Sequence, residues 1–487
     1  MKKIFHILFL VPLFTACDKQ LQESPRNRIT TDNFYSSDNE AILGVNGVYS
    51  WLGTSGGFKS SLWRALDEGT DVIRVRKRPT DPEPNYTMSS FSPGYTLAIW
   101  TNLYKGISNA NLVIDKVSKA PGVSDAIKNR VVAEAKFLRS LYYYYLTGLF
   151  GNAVYYDETN YSLAETKILP RIAADDIRNK VVVSLKEAEQ YLPAKFTGAD
   201  VGRATKGAAQ TLLVKTYMWL KQWDNAQKKA QEIIDSKTYT LQANYADIFT
   251  EANEMIGTEI IFEVDFEPVL NGQDHQAWYE PEKQVGVSPF SGRSWYGTYI
   301  PYTTFLNYIE PNDKRRASIV ATSYNSQPFK VDPVEQISTW SGPKFWRLSQ
   351  AADADGGLDM YVFRYADVWL MLAESANENN DPATALTAVN EIRKRSFGTT
   401  GVFTNNLSKD DMTNYLFKER AVEFYGEGQR RLDLIRWGKL ASSVKTAAAT
   451  EDGYVAGNVQ PFNDLYPIAA VEIQKNPNLA PNNPGYQ

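Results

Sequence analysis

The chain is 487 residues long, 43% hydrophobic, 13% aromatic and 22% charged, a globular composition with room for one large core or two to three conventional domains. Lys and Arg number 52 against 56 Asp and Glu, and a net charge of −4 is too near neutral for a binder of phosphate backbones, so no nucleic acid partner is expected. The single cysteine excludes a disulfide framework and any cysteine-based zinc finger, and two histidines, His6 and His275, exclude a multi-histidine metal site.

Lys2 and Lys3 precede an apolar run from Ile4 to Phe14. That run is too short to span a bilayer, which takes roughly 20 residues. It has the charged start and apolar middle of a secretory signal. It ends in Leu13-Phe14-Thr15-Ala16-Cys17, which resembles a bacterial lipobox with the only cysteine of the chain at the acylated position. The expectation is a lipoprotein signal peptide over 1–16 and lipid attachment at Cys17. Acyl chains would then tie the protein to a membrane surface without a spanning helix.

Residues 18–60 are polar and glycine-rich around a short apolar stretch, Ala41 to Leu52. Residues 53–96 hold many Gly, Pro, Ser and Thr and read mainly as loops. From Leu97 apolar residues recur every three or four positions, which predicts helices from there, over about 124–150 and over 174–191. Residues 207–234 predict a helical hairpin with Tyr217 on one helix, Trp223 at the turn, and Ala226 and Ala230 on the next. This resembles a tetratricopeptide unit, in which small residues let two helices approach and aromatics fill the turn. A second such unit spans 361–396, with Asp381-Pro382 starting its second helix. Some 120 residues separate the two, so a plain solenoid is not expected. Between them, IIFEVDF (260–266) reads as a strand, and the remainder of 238–360 reads as long loops held on a rigid frame.

The blocks FRYADVWLMLAES (363–375), VNEIRKRS (389–396), FKERAVEFYGEGQRRLDLIRWGK (417–439) and YPIAAVEIQKNPNLAPNNPGY (466–486) complete a pattern. With the lipobox and the scattered tetratricopeptide helices, the chain resembles the SusD/RagB family of surface lipoproteins over essentially its whole length. The resemblance implies a mainly α fold, a tetratricopeptide-like helical scaffold with long loops and a few short strands. Residues 17–487 would form one unit, with scaffold at about 97–236 and 361–440 and a loop-rich ligand-binding part at about 53–96 and 238–360. It also implies the role: a cell-surface protein on the outer membrane that captures oligo- or polysaccharide for a TonB-dependent, SusC-like barrel. The RagB-like branch captures peptides instead.

The residues that look catalytic read as architecture. Glu419 and Glu423 lie one turn apart on one predicted helix among Arg420, Arg430, Arg431 and Arg436. Glycosidase carboxylates face each other across a bond, and neighbouring cations depress a carboxyl pKa, the wrong direction for a general acid. Structural ion pairs are expected there. No catalytic residue, metal ligand or cofactor is assigned; a structural calcium ion ordering a loop is left open.

The aromatic residues carry the ligand signal. Fourteen of the 69 residues from Trp278 to Trp346 are aromatic, about 20% against 13% for the chain. Flat rings with polar tips suit the C–H faces and hydroxyls of sugars. Trp278, Tyr279, Trp295 and Tyr296 lie beside Gly, Pro and Ser and are expected to be exposed, with Asp274, His275 and Arg293 as polar partners. Phe305 and Tyr308 are expected in the core. Trp63, Arg74, Arg76, Tyr86 and Tyr95, on the loops before Leu97, are expected to form a second wall, with Arg74, Arg76, Lys77 and Arg78 making a local basic cluster.

Overall fold

The computed structural model describes residues 34–77, 80–254, 257–267, 272, 275–292, 296–348 and 356–486. Cys17 and the signal segment lie outside the described residues. No helix among the described residues is long and apolar enough to cross a membrane.

The first helix, Asp38–Tyr49, is capped by Ser37, whose side chain accepts from the Glu40 amide, and it buries Ala41, Val45 and Val48 on one face. Thr96–Lys119 and Asp125–Phe150 follow as an antiparallel pair. They approach closely at Gly106, where a Cβ would come 2.5 Å from the Tyr142 ring. Ala174–Ala188, Lys206–Trp219 and Trp223–Asp235 then stack in turn, each against the one before. Trp223 opens the second helix of its hairpin instead of occupying the turn, which Lys221 makes with φ of +54°.

The second repeat unit comprises Tyr365–Glu378 and Pro382–Phe397. Asp381 caps the second helix by accepting from the Thr384 amide, and Pro382 fills the first turn, where no N–H is needed. Although 120 residues apart in sequence, the two units touch. Trp223–Asp235 packs on Tyr365–Glu378. Gln227 donates to Asp381 Oδ2 (2.9 Å) and accepts from Asn379 Nδ2 (2.6 Å). The helices thus form one continuous row, and the 238–360 stretch is an excursion from it.

Among the described residues, four two-stranded antiparallel sheets brace that excursion. Ile260–Val264, the predicted strand, pairs with Met360–Arg364. The partner had been expected to belong to the helical block; all five of its residues are buried, and the helix begins only at Tyr365. Ile73–Val75 pairs with Tyr299–Pro301, which draws the early loops onto the middle region. The stretch 53–96 also holds a short helix, Ser61–Asp67, with all seven residues buried. Two turns are too few to show a helical period.

The charged C-terminal block is interior. Arg364 reaches Glu259 (2.6 Å), Glu423 (3.1 Å) and Glu427 (2.6 Å). Arg395 reaches Glu423 (2.6 Å), and Arg315 reaches both Glu419 (2.5 Å) and Glu423 (2.9 Å). Burial alone would raise the Glu423 carboxyl, but Arg395, Arg364 and Arg315 together hold it far below the usual carboxylate range. Ion pairs are present as expected, but Glu419 and Glu423 take theirs from Arg315, Arg364 and Arg395, outside the block, while Arg420, Arg430 and Arg436 pair with Asp367, Asp433, Asp71 and Glu374. Phe305 is fully buried and Tyr308 half-buried, as expected.

Candidate functional site

Arg64 projects from the buried helix Ser61–Asp67, and two carboxylates fix its guanidinium: Nε to Glu68 Oε1 at 3.0 Å and Nη2 to Asp81 Oδ2 at 2.5 Å. The guanidinium carbon lies 4.5 Å from the centre of the Tyr95 ring and 4.8 Å from that of the Trp278 ring. Trp278 in turn lies 5.5 Å from Tyr296. The result is a ladder, Tyr95–Arg64–Trp278–Tyr296, that joins the early loops to the middle region. Tyr296 is 53% exposed; Tyr95 and Trp278 are half-buried. Cation–π contact holds such a stack together, and each rung is fixed from behind. The Tyr95 hydroxyl donates to Glu68 Oε2 (2.6 Å), and Trp278 rests on Tyr299 at 5.3 Å.

The Tyr296 rung is set by its backbone. The Tyr296 amide donates to Ala277 O (2.9 Å) and the Thr298 amide to Trp278 O (2.8 Å), tying the turn to the short helix His275–Tyr279. Gly297 between them has φ of +53°, and a Cβ there would meet Glu282 N and the Trp340 ring at 2.8 Å. Arg76 completes the clamp: Nε donates to Gly297 O (2.9 Å) and Nη2 to Tyr296 O (3.4 Å), with ion pairs to Glu282 and Asp332.

Several expected contacts are therefore not on the surface. Arg76 is 1% exposed, spent on backbone carbonyls and two carboxylates, so it positions the Tyr296 turn instead of meeting ligand. Trp63 is fully buried between His275 (4.6 Å) and Tyr299 (5.6 Å). Tyr86 is buried with its hydroxyl donating to Gly69 O. Tyr279 is buried, stacked on Phe345 at 4.0 Å with its hydroxyl on Asp67 Oδ2 (3.0 Å). His275 sits among the Trp63, Tyr279 and Phe345 rings, and burial pushes its pKa down to about 3, so the imidazole is neutral. In each case the large ring found more area inside than out. Asp274, Arg293 and Trp295 lie outside the described residues.

The basic cluster is neutralised as well. Arg74 pairs with Glu335 (2.6 Å) and Lys77 with Glu282 (2.6 Å); Arg78 lies outside the described residues. Burial would raise the Glu282 carboxyl, but Lys77 and Arg76 lower it, so it is no general acid. Asp67, pushed up to about 7 by burial, is fully enclosed behind the rings and beyond reach of a surface ligand. Sequence reasoning missed Arg64. The available signal was its spacing to Glu68, one helical turn on, beside the aromatic Trp63.

Residues 289–486 match the SusD family, and residues 83–218 match a family described as starch-binding and associating with the outer membrane. SusD-like protein P25 of Formosa agariphila is 29% identical, with 98% of this chain and 97% of that protein aligned. The starch-binding protein SusD of Bacteroides thetaiotaomicron is 25% identical over 97% of this chain and 96% of its own. Among solved structures, a SusD homolog from Bacteroides thetaiotaomicron superposes with a TM-score of 0.82 at 22% identity, covering 94% of this chain and 98% of that one.

Proposed function

This chain belongs to the SusD family, and from that premise we propose that it is a non-enzymatic, cell-surface glycan-binding lipoprotein. The observation that carries the reading is the Tyr95–Arg64–Trp278–Tyr296 ladder, a partly open aromatic face that joins two loop regions. Trp278 and Tyr296 offer apolar platforms to sugar C–H faces, and the exposed Tyr296 hydroxyl meets the ligand's hydroxyl groups, while Arg64 and Tyr95 hold the platform from behind. Because the rungs are fixed before ligand arrives, little conformational freedom is lost on binding. Longer chains bind better than short ones, since they cover more of the face.

Cys17 carries the lipid that holds the protein on the outer membrane, and the captured oligo- or polysaccharide passes to a TonB-dependent, SusC-like barrel. The curated relative named as starch-binding and the outer-membrane description of the family support this placement. Of the acidic residues near the ladder, Glu282 is held ionised by two cations, which supports capture without cleavage.

The test is affinity electrophoresis of the full-length chain in detergent through gels containing a polysaccharide panel, with oligopeptides as competitors. Retardation by one polysaccharide class without release of reducing sugar is expected, and a Trp278→Ala/Tyr296→Ala double variant loses it while still melting in one cooperative transition, at a lower temperature because Trp278 packs on Tyr299. Binding of peptides alone would overturn the glycan reading in favour of RagB-like capture. Replacing Cys17 with Ser is expected to release the protein from the membrane fraction.

A further inference from the structure

A second cavity, of about 350 Å³, lies against the start of helix Ala174–Ala188 and the C-terminal tail, and shares no residue with the ladder. Two arginines line it, Arg171 and Arg178, and no Asp or Glu does. Arg171 is half-buried and makes no ion pair among the described residues; its guanidinium donates only to Asn483 Oδ1 (2.8 Å) and Pro481 O. Arg178 donates to Thr147 O (3.2 Å) and pairs with Asp175 (2.7 Å), and its guanidinium lies 4.2 Å over Trp219. A guanidinium has five N–H donors, so each arginine keeps donors to spare. Asn152 also lines the cavity, its Oδ1 accepting from the Ala174 amide (3.1 Å). Acceptors are scarce by contrast. Asn482 Oδ1 is taken by the Ile468 and Asn483 amides, and the Thr147 hydroxyl donates to Tyr143 O.

Such a cavity is rich in donors and has no anion in its wall; Asp175 offsets the charge of Arg178, and Arg171 is the guanidinium with no carboxylate partner among the described residues. Burial already lowers both guanidinium pKa values, so each cation sits partly desolvated without full compensation. A planar or tetrahedral oxyanion satisfies both, because carboxylate and sulfate oxygens match the arginine fork. We propose that this cavity is a second ligand site, which takes one oxyanion group, a carboxylate or a sulfate ester, borne by a small sugar. The ladder and the cavity then read different features of ligand: ring faces at one, a charged substituent at the other. The proposal does not depend on the ladder's function.

Calorimetry on the full-length chain in detergent tests it, with D-glucuronate, D-glucose 6-sulfate and D-glucose as separate probes. Glucuronate or the sulfate ester binds, and which of them binds tells the carboxylate from the sulfate source; glucose does not. Arg171→Gln weakens that binding by about tenfold or more. Because Arg171 also holds the tail, Arg178→Gln serves as a second variant; it leaves the Asn483 and Pro481 contacts intact and is expected to weaken binding several-fold. Both effects persist in the Trp278→Ala/Tyr296→Ala background, which separates this site from the ladder. Failure of both acids to bind overturns the proposal, as does equal affinity in wild type and Arg178→Gln, or binding of glucose as tight as that of the acids.

Discussion

A buried charge is tolerable only when its partners are in place, and Glu423 shows how many it takes. Its two oxygens meet Arg364, Arg395 and Arg315 at 2.6 to 3.1 Å, with both partners of each pair almost fully enclosed. Glu423→Gln keeps the shape but removes the negative charge that three guanidiniums share; each retains another carboxylate (Glu259 and Glu427 for Arg364, Glu259 for Arg395, Asp313 and Glu419 for Arg315), so the expected cost in urea unfolding is about 3 kcal/mol. His275 is the opposite case, a group kept uncharged. Its pKa is about 3 in the fold against 6.5 unfolded. As pH falls from 6.5 toward 3, the unfolded chain takes up a proton that the fold refuses, so this residue's contribution to stability declines across that window and levels off below about 3. His275→Phe removes the dependence. Relative to wild type, the variant is expected to gain about 1.4 kcal/mol per pH unit between pH 6 and 4, read as the difference between two urea series. A constant offset from the lost contact to the Gly426 backbone does not alter that slope.

At the level of elements, the Tyr296 turn depends on a backbone shape that one residue permits. Gly297 combines φ of +53° with a 2.8 Å approach to the Glu282 backbone, so Gly297→Ala is strained in both respects. It is expected to destabilise by about 1–3 kcal/mol and to weaken polysaccharide retardation, since Tyr296 shifts with the turn. Gly292, with nothing within 4 Å of an added Cβ, is the control, and Gly292→Ala is expected to leave both melting and retardation unchanged. The helical elements behave differently. Ala226 and Ala230 are fully buried, and their helix packs on Lys206–Trp219 on the one hand and on Tyr365–Glu378, the next of the row, on the other. The two repeat units, far apart in sequence, are therefore a single packed layer.

Over the whole molecule, the last twenty or so residues act as a strap. The Tyr466 hydroxyl donates to Ala65 O (3.1 Å) and its amide to Leu149 O (2.8 Å), while Asn483 Nδ2 donates to Phe150 O (2.8 Å). Arg431 lies 4.4 Å over the Tyr466 ring. The tail thereby joins the early buried helix, the long helix Asp125–Phe150 and the C-terminal block. One cooperative unfolding transition is expected by calorimetry for the intact chain, as one folding unit requires. Truncation after Leu465 is expected to lower the melting temperature markedly; two separate transitions in the intact chain would show that it is more than one unit.

Periodic apolar spacing made the long helices legible, because a face one quarter or more of a helix wide must be apolar to pack. Helices from 96, 125, 174, 206, 223 and 382 appear within a few residues of their expected bounds. The charge-dense block at 417–439 was readable as ion-paired, but its partners were not: Glu419 and Glu423 meet Arg315, Arg364 and Arg395, which come from outside the block. The family followed from motif order, which folding does not alter. Exposure of single rings was not readable. Trp278 and Tyr279 are neighbours in sequence with the same local composition, yet one edges onto the surface and the other is fully enclosed. Their difference is decided by what lies opposite, Arg64 and Tyr296 for one, Phe345 and Asp67 for the other. Those partners come from segments up to some 200 residues away, brought in by the pairing of Ile73–Val75 with Tyr299–Pro301 and by the enclosing C-terminal strap. Local sequence sets helix and turn because those forces act within a few residues; which ring faces water is set by long-range packing, and only the tertiary structure contains that.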